Sequence, residues 1–378
     1  MANNNKHTGP NVPALRFPEF SGEWECVPLS TYAKKITEKN KGNKIKNVLC
    51  NSATQGIVPQ SEYFDREIAN NENTDGYYVV RNQDFVYNPR KSVSAPYGPV
   101  NIYNGEDDGI ISPLYLCMKI RGIDKNFLLH YFKSPAWYPY IYQNGDSGVR
   151  HDRVSIKDEV FLAMPVSVPN GDEQRKIAKF LDAINERIAT QSKIIEEQET
   201  LLRSLRHKLF NQCLDSHTQC RIGDILSIGS GKDYQHLREG EIPVYGTGGL
   251  ISHVNESLYD GESVCIGRKG TINKPLYLSG RFWTVDTLFY THSFNGILPR
   301  FCYHLFCTID WLTYNEASGV PSLSKSTIEK ILVSIPQIDI QKRIVQILDS
   351  IEEKINIDRN TLLDYQKQKI YLLSRMFI

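Results

Sequence analysis

The sequence predicts an α+β chain built as a pseudo-twofold tandem repeat: two β-rich globular domains, each followed by a long helix, the two helices packed as an antiparallel intramolecular coiled coil. Three observations predict it. Residues 168–188 and 335–355 align without a gap at an offset of 167, with nine identities in 21 positions, among them Pro169/Pro336, Gln174/Gln341, Leu181/Leu348 and Asp182/Asp349. After each shared proline, strand-like alternation gives way to an apolar heptad. Ahead of each, aromatic and β-branched residues cluster between turn formers.

The chain has 378 residues, 40% of them hydrophobic, enough for two domains and something extended. Lys and Arg number 44 against 43 Asp and Glu, so no global field argues for nucleic acid or an acidic membrane; such a partner must be met by local patches. Eight cysteines without a CxxC pair read as reduced thiols of a cytosolic protein, not as a disulfide frame or zinc site. "MANNNKHTGPNVPAL" lacks a charged segment followed by an apolar core, and no run of about 18 apolar residues occurs. The expected location is cytoplasmic, with no membrane partner.

In chain order, residues 12–167 form the first globular domain, with "GYYVVRNQDFVYN" and "SPLYLCMKI" as its clearest strands. The aromatic-rich stretch "NFLLHYFKSPAWYPY" reads as a helix. It has an echo in "RFCYHLFCTIDWLTY" at an offset of 174, matching Phe127/Phe301, His130/His304 and Trp137/Trp311. The two histidines read as packing residues, not ligands, because no second metal-type residue sits at i+4.

Residues 168–212 hold the first long helix, with Ile177, Leu181, Ile184, Ile188, Ile195, Leu202, Leu205 and Leu209 on its seam. Residues 216–335 form the second domain, where twelve of the 25 glycines fall between Gly223 and Gly296 and mark tight turns. Residues 336–378 hold the second long helix, seamed by Ile344, Leu348, Ile351, Ile355, Leu362, Leu372 and Met376, with a register drift near Ile370 and Leu373. Some 39 proline-free residues in each copy make rods of about 58 Å. Packing on each other is the simplest burial for both stripes; the alternative is the core of a helical domain. Polar residues interrupt the seam at Gln191, Gln198, Asp358 and Tyr365, a pattern that selects register at a cost in stability.

No familiar active site stands out. "GSGK" at 229–232 has Leu226 where a phosphate loop needs glycine and Asp233 where it needs Ser or Thr. "YNPR" at 87–90 lacks the second proline of an amino-methyltransferase signature, and reads as a turn. Glu352 and Lys354 have nuclease-like Glu-x-Lys spacing but lie on the heptad helix, where a solvated face is expected. Polar loops remain. Lys41, Lys44 and Lys46 crowd around Gly42; Arg90 and Lys91, then Arg150 and Arg153, follow candidate strands of the first domain. Lys232, Tyr245, Thr247, Arg268, Lys269 and Thr271 do so in the second. Basic side chains beside Gly, Asn, Ser and Tyr suit phosphate neutralisation and base-edge contact; ordinary solubilising surface is the alternative for any single loop.

The opening "NVPALRFPEFSGEWECVPLS", the "DGIISPLYL" stretch, "GTGGLISHVNESLYDGESVCIGRKGTIN" and the twin P-x-x-x-x-Q-x-x-I openings of the long helices resemble the specificity subunit of type I restriction-modification systems, over essentially the whole chain. The resemblance implies two target-recognition domains, each reading half of a split duplex site, on helices that set the spacing and dock methyltransferase subunits, with two such subunits expected. Motor-nuclease subunits would complete the complex. It implies that this chain is non-catalytic and binds no cofactor, with S-adenosylmethionine, ATP and Mg²⁺ on the partners. Near-neutral charge departs from a lone DNA binder and places much of the phosphate affinity on those partners. The loop residues named above match no invariant motif of the family. The rival reading is a non-catalytic scaffold with protein or glycan ligands, in which Trp283 or Tyr290 would serve as a sugar platform.

Overall fold

The computed structural model describes residues 11–63, 74–145, 152–212 and 218–378, and they divide into two compact units, Met1–Thr190 with Leu362–Ile378, and Gln191–Thr361. The long helices are Gly171–Gln212 and Ile338–Arg375, and each unit holds a segment of both. Among the described residues, no helix is long and apolar enough to cross a membrane.

In the first unit, Glu25–Pro28 pairs antiparallel with Pro165–Val168, closing the globular domain just before the first long helix begins. A four-stranded sheet runs in the order Ala33–Lys35, Leu116–Ile120, Phe85–Tyr87, Val100–Ile102. Strand periodicity of two sends Phe85, Tyr87, Leu116 and Met118 into the main core, while Val86 and Cys117 enter a smaller cluster on the opposite face. With both faces covered, these strands read as nearly continuous apolar runs. The main core also takes in Phe127, Trp137, Ile177, Leu181 and Ile184 from the helices, together with Leu372, Leu373, Met376 and Phe377. The seam here is therefore continuous with the globular core. Leu373 is buried and Ile370 is 69% exposed, so Leu373 is the residue that enters the core where the heptad drifts.

The second unit repeats the plan. Thr218–Arg221 pairs antiparallel with Leu332–Ile335. Two four-stranded sheets follow, one ordered Ser227–Ser230, Leu288–His292, Ser263–Gly267, Leu276–Leu278, the other Gly249–Val254, Ile242–Gly246, Arg281–Thr284, Tyr259–Asp260. Ile195, Leu202, Ile344, Leu348 and Ile355 of the helix segments are buried, and Leu205, Leu209 and Ile351 are half-buried. The segments run antiparallel: Gln191 meets Asp358, while Arg206, farther along, meets Glu352.

The repeated helix opening has a physical reason in both units. Gln174 Nε2 donates to Pro169 O at 2.8 Å, and its Oε1 accepts from Asp124 N at 2.9 Å. Gln341 Nε2 donates to Pro336 O at 2.8 Å, and its Oε1 accepts from Leu298 N at 2.8 Å. Each buried glutamine thus ties the proline turn to the start of an aromatic helix, Lys125–Lys133 or Pro299–Phe306. About two turns further along each long helix, His130 Nε2 pairs with Asp182 Oδ1 and His304 Nε2 with Asp349 Oδ1, both at 2.7 Å. Trp137 and Trp311 close the motif, their indole N–H groups donating to Phe132 O at 3.1 Å and Phe306 O at 2.8 Å.

Candidate nucleic-acid interface

In the second unit, distant basic turns hang on one segment, Thr284–Leu288. Lys232 N donates to Thr284 O at 2.9 Å, Val285 N to Tyr245 O at 3.0 Å, and Arg268 N to Thr287 O at 2.8 Å. The close approach demands glycine: a Cβ at Gly231 would stand 2.0 Å from Val285 O, and one at Gly267 only 2.2 Å from Thr271 O. Thr247 comes into the same group, because a Cβ at Gly270 would lie 3.6 Å from its Oγ1. Lys232, Arg268 and Lys269 are exposed, whereas Tyr245, Thr247 and Thr271 are half-buried. All six residues singled out in this domain thus belong to one cluster of strand ends.

A further segment joins them that the sequence reading missed. Gly270 N donates to Pro321 O and Leu323 N to Arg268 O, both at 2.9 Å, and Lys269 and Ser322 form an isolated antiparallel bridge. Residues 315–325 therefore wall a cleft of about 600 Å³ whose cations are Arg268, Lys269 and Lys325. The available signal was the turn-rich "NEASGVPS", whose Ser318-Gly319-Val320 repeats the Ser147-Gly148-Val149 of the first half of the sequence.

The first unit has the same stitching. Lys91 N donates to Asp152 O at 2.8 Å and Val154 N to Pro89 O at 2.9 Å, with Arg90 and Arg153 as the isolated antiparallel bridge. Arg90 lines a cleft of about 240 Å³ with Asn51, Asn88 and Tyr115. Its wall is a buried amide network: Asn51 Nδ2 donates to Val86 O at 2.7 Å, Asn88 Nδ2 to Asn51 O at 2.9 Å, and Asn101 Nδ2 to Asn51 Oδ1 at 2.6 Å. Lys41, Lys44 and Lys46 sit exposed on a separate loop shaped by Asn40, which exchanges two 3.0 Å bonds with Ile45, and by Asp75, which accepts from Gly42 N at 2.6 Å. Arg150 lies outside the described residues.

Other candidates resolve differently. Trp283 is buried and its indole N–H donates to Lys232 O at 2.8 Å, so it braces the loop and offers no sugar platform. Glu352 and its neighbourhood are not the solvated face that the sequence suggests. Glu352 accepts from Arg206, from Arg300 Nη2 at 2.5 Å and from Tyr303 Oη at 3.1 Å, while Lys354 turns to Asp358 at 2.9 Å. His304, Asp349 and Glu352 bring ligand-type atoms within 4.8 Å of one another, but Arg206 and Arg300 already supply the positive charge there. Arg206 Nε donates to His304 Nδ1 at 3.2 Å, which leaves Nε2 as the protonated nitrogen facing Asp349. Burial, the leading cause, holds this imidazole below its ordinary pKa.

What the clusters can do is electrostatic and hydrogen-bonding chemistry at a polyanion: exposed cations on loops held by rigid strands, beside turn amides and small hydroxyl side chains. A family model described as the type I restriction modification DNA specificity domain matches residues 23–200 and 217–364. The chain is 26% identical over 116 residues, 30% of its own length and 30% of the other's, to a putative type I restriction enzyme specificity subunit of Haemophilus influenzae. It is 24% identical over 146 residues, 36% of each chain, to the EcoprrI specificity subunit of Escherichia coli. These alignments span about a third of the relatives' length. The fold is similar to that of a type I restriction-modification S subunit from M. genitalium, with a TM-score of 0.60 at 17% identity, covering 97% of this chain and 99% of that one.

Proposed function

The chain belongs to the type I restriction-modification DNA specificity family, and on that premise we propose that it selects the DNA sequence for such a system, each globular domain reading one half of a split duplex site. The observation that carries this reading is the same basic strand end in both units, stitched to a returning segment: Arg90 beside Arg153, and Lys269 beside Ser322. Exposed lysines and arginines there release counterions from phosphates, and the rigid strand ends aim arginine and amide groups at base edges.

In this proposal the residues before each long helix, 12–167 and 216–335, are the recognition domains, and 168–212 and 336–378 form the helices. The helices dock two methyltransferase subunits, and their length sets the gap between the half-sites. Apolar residues exposed away from the seam, such as Ile194, Leu201, Ile347 and Ile357, support a docking role. Adenine methylation with S-adenosylmethionine, and ATP- and Mg²⁺-dependent cleavage by motor-nuclease subunits, are assigned to the partners, and the chain itself contributes recognition.

Exchange of residues 12–167 for those of a related chain, followed by sequencing of methylated adenines in a host carrying the complex, tests the modular reading. One half of the methylated sequence is expected to change. Alteration of both halves would refute it.

A further inference from the structure

Glu316 is a carboxylate placed among cations without being paired to one. It lines the cleft that also holds Arg268, Lys269 and Lys325, and among the described residues no ion pair joins it to any of the three. Lys325 instead faces Glu329 at 3.7 Å. The side chain is nonetheless held. Ser324 Oγ donates to Oε1 at 2.8 Å, Ser324 N at 3.3 Å, and Thr327 Oγ1 donates to the same oxygen. The bonds from Thr327 first, then from Ser324, keep the carboxyl below the usual range, and it is ionised at neutral pH. The loop carrying it is braced by Glu316 N donating to Ser322 O at 3.0 Å and by Asn315 Oδ1 accepting from Ser322 N at 2.9 Å.

All three bonds converge on one oxygen. Oε2 is left without a protein donor among the described residues, in an exposed side chain whose position is set by its own loop. A fixed anion at this spot opposes phosphate binding, so a contact with the DNA backbone is the wrong use for it. It suits the one feature of a base edge that needs a strong acceptor, an exocyclic amino group.

We propose that Glu316 is a specificity-determining residue of the second domain, its Oε2 accepting a hydrogen bond from the exocyclic amine of a cytosine or adenine in the half-site that this domain reads. The inference rests on the DNA-reading function proposed above. The neighbouring lysines, Lys269 and Lys325, hold the phosphates on either side and bring the base edge to the carboxylate.

The test uses the full chain assembled with its methyltransferase subunits, comparing the wild type with Glu316→Gln and Glu316→Ala by sequencing methylated adenines in the host. Glu316→Gln keeps an acceptor for Ser324 and Thr327, so the loop stays formed while the base-reading atom changes. Relaxation at a single position of one half-site, with the preference there falling about tenfold or more in both variants, is the expected result. An unchanged methylated sequence in Glu316→Ala, or a loss spread evenly over all positions in Glu316→Gln, would overturn the inference and leave the parent reading intact. A wild-type complex that methylates without sequence preference would end both.

Discussion

Gln191 donates its side-chain amide to the main-chain oxygen of Asp358 at 3.3 Å, and the two residues occupy the same place in the repeated sequence, 167 positions apart. Beside them Gln198 Nε2 donates to Asp358 Oδ2 at 2.9 Å and Lys354 Nζ to Oδ1 at 2.9 Å. The buried Gln198 Oε1 has no partner among the described residues. A polar layer of this kind costs stability relative to an apolar seam but penalises every register in which the groups fail to meet.

Gln198→Glu places a second carboxylate against Asp358. Thermal unfolding at pH 7 is expected to show a loss of about 1–3 kcal/mol, the penalty of a buried, unmatched polar group. Repulsion raises the pKa of the new carboxyl, so the deficit shrinks as pH falls from 7 to 5. An equal deficit at both pH values would contradict the arrangement.

Gln341→Ala removes the clamp between the second long helix and its aromatic helix, leaving Leu298 N and the carbonyls of Pro336 and Gly296 without their partner. A loss of about 2–3 kcal/mol is expected from urea unfolding of the variant. Gln174→Ala does the same in the first unit, through Asp124 N and Pro169 O. A change below about 0.5 kcal/mol in both would mean the repeated glutamine is not a clamp.

Stability should fall on mild acidification. His304 and His130 are both held below the ordinary 6.5 by burial, so each is neutral when folded. Between their folded values and 6.5 the unfolded chain binds more protons, and stability is therefore complete above about 6.5 and declines as pH drops below it. His304→Gln retains a donor for Asp349 and is expected to flatten that slope in a series of unfolding curves from pH 7.5 to about 5. A slope identical to wild type would place the titration elsewhere.

Arg268→Ala and Lys269→Ala address the strand-end cluster of the second unit. With duplexes altered in one half-site at a time, Arg268→Ala is expected to weaken binding only through the half-site that the second domain reads, whereas Lys269→Ala, at a phosphate, should weaken binding to every sequence alike and lower the salt slope by about one. Equal weakening on every sequence by Arg268→Ala would make that residue a plain phosphate contact as well.

What could be read before folding was whatever depends on short spacing. The heptads gave Ile177, Leu181, Ile344 and Leu348 as apolar seam positions, all now buried, because a helix face is a function of positions three and four apart. The repeat likewise pointed to Gln174, Gln341, Asp182 and Asp349 without revealing their work as clamps and imidazole partners. Glu352 was misjudged as solvated because its partners Arg206 and Arg300 come from other elements, far away in sequence.

Composition picked out the basic turns but could not assemble them. Lys232, Tyr245 and Arg268 meet through backbone bonds to Thr284–Leu288, and Lys269 meets Ser322 through strand-like pairing, so only the closed sheets decide that they share a cleft. Glu316 had no local signal, since its role depends on that same closure. By itself the sequence determined the repeat, the helical stripes and the family, because these are written in local periodicity and residue identity. Tertiary structure alone decided which loops converge and which charges are matched, because pairing between strands joins groups whose separation along the chain carries no periodic mark.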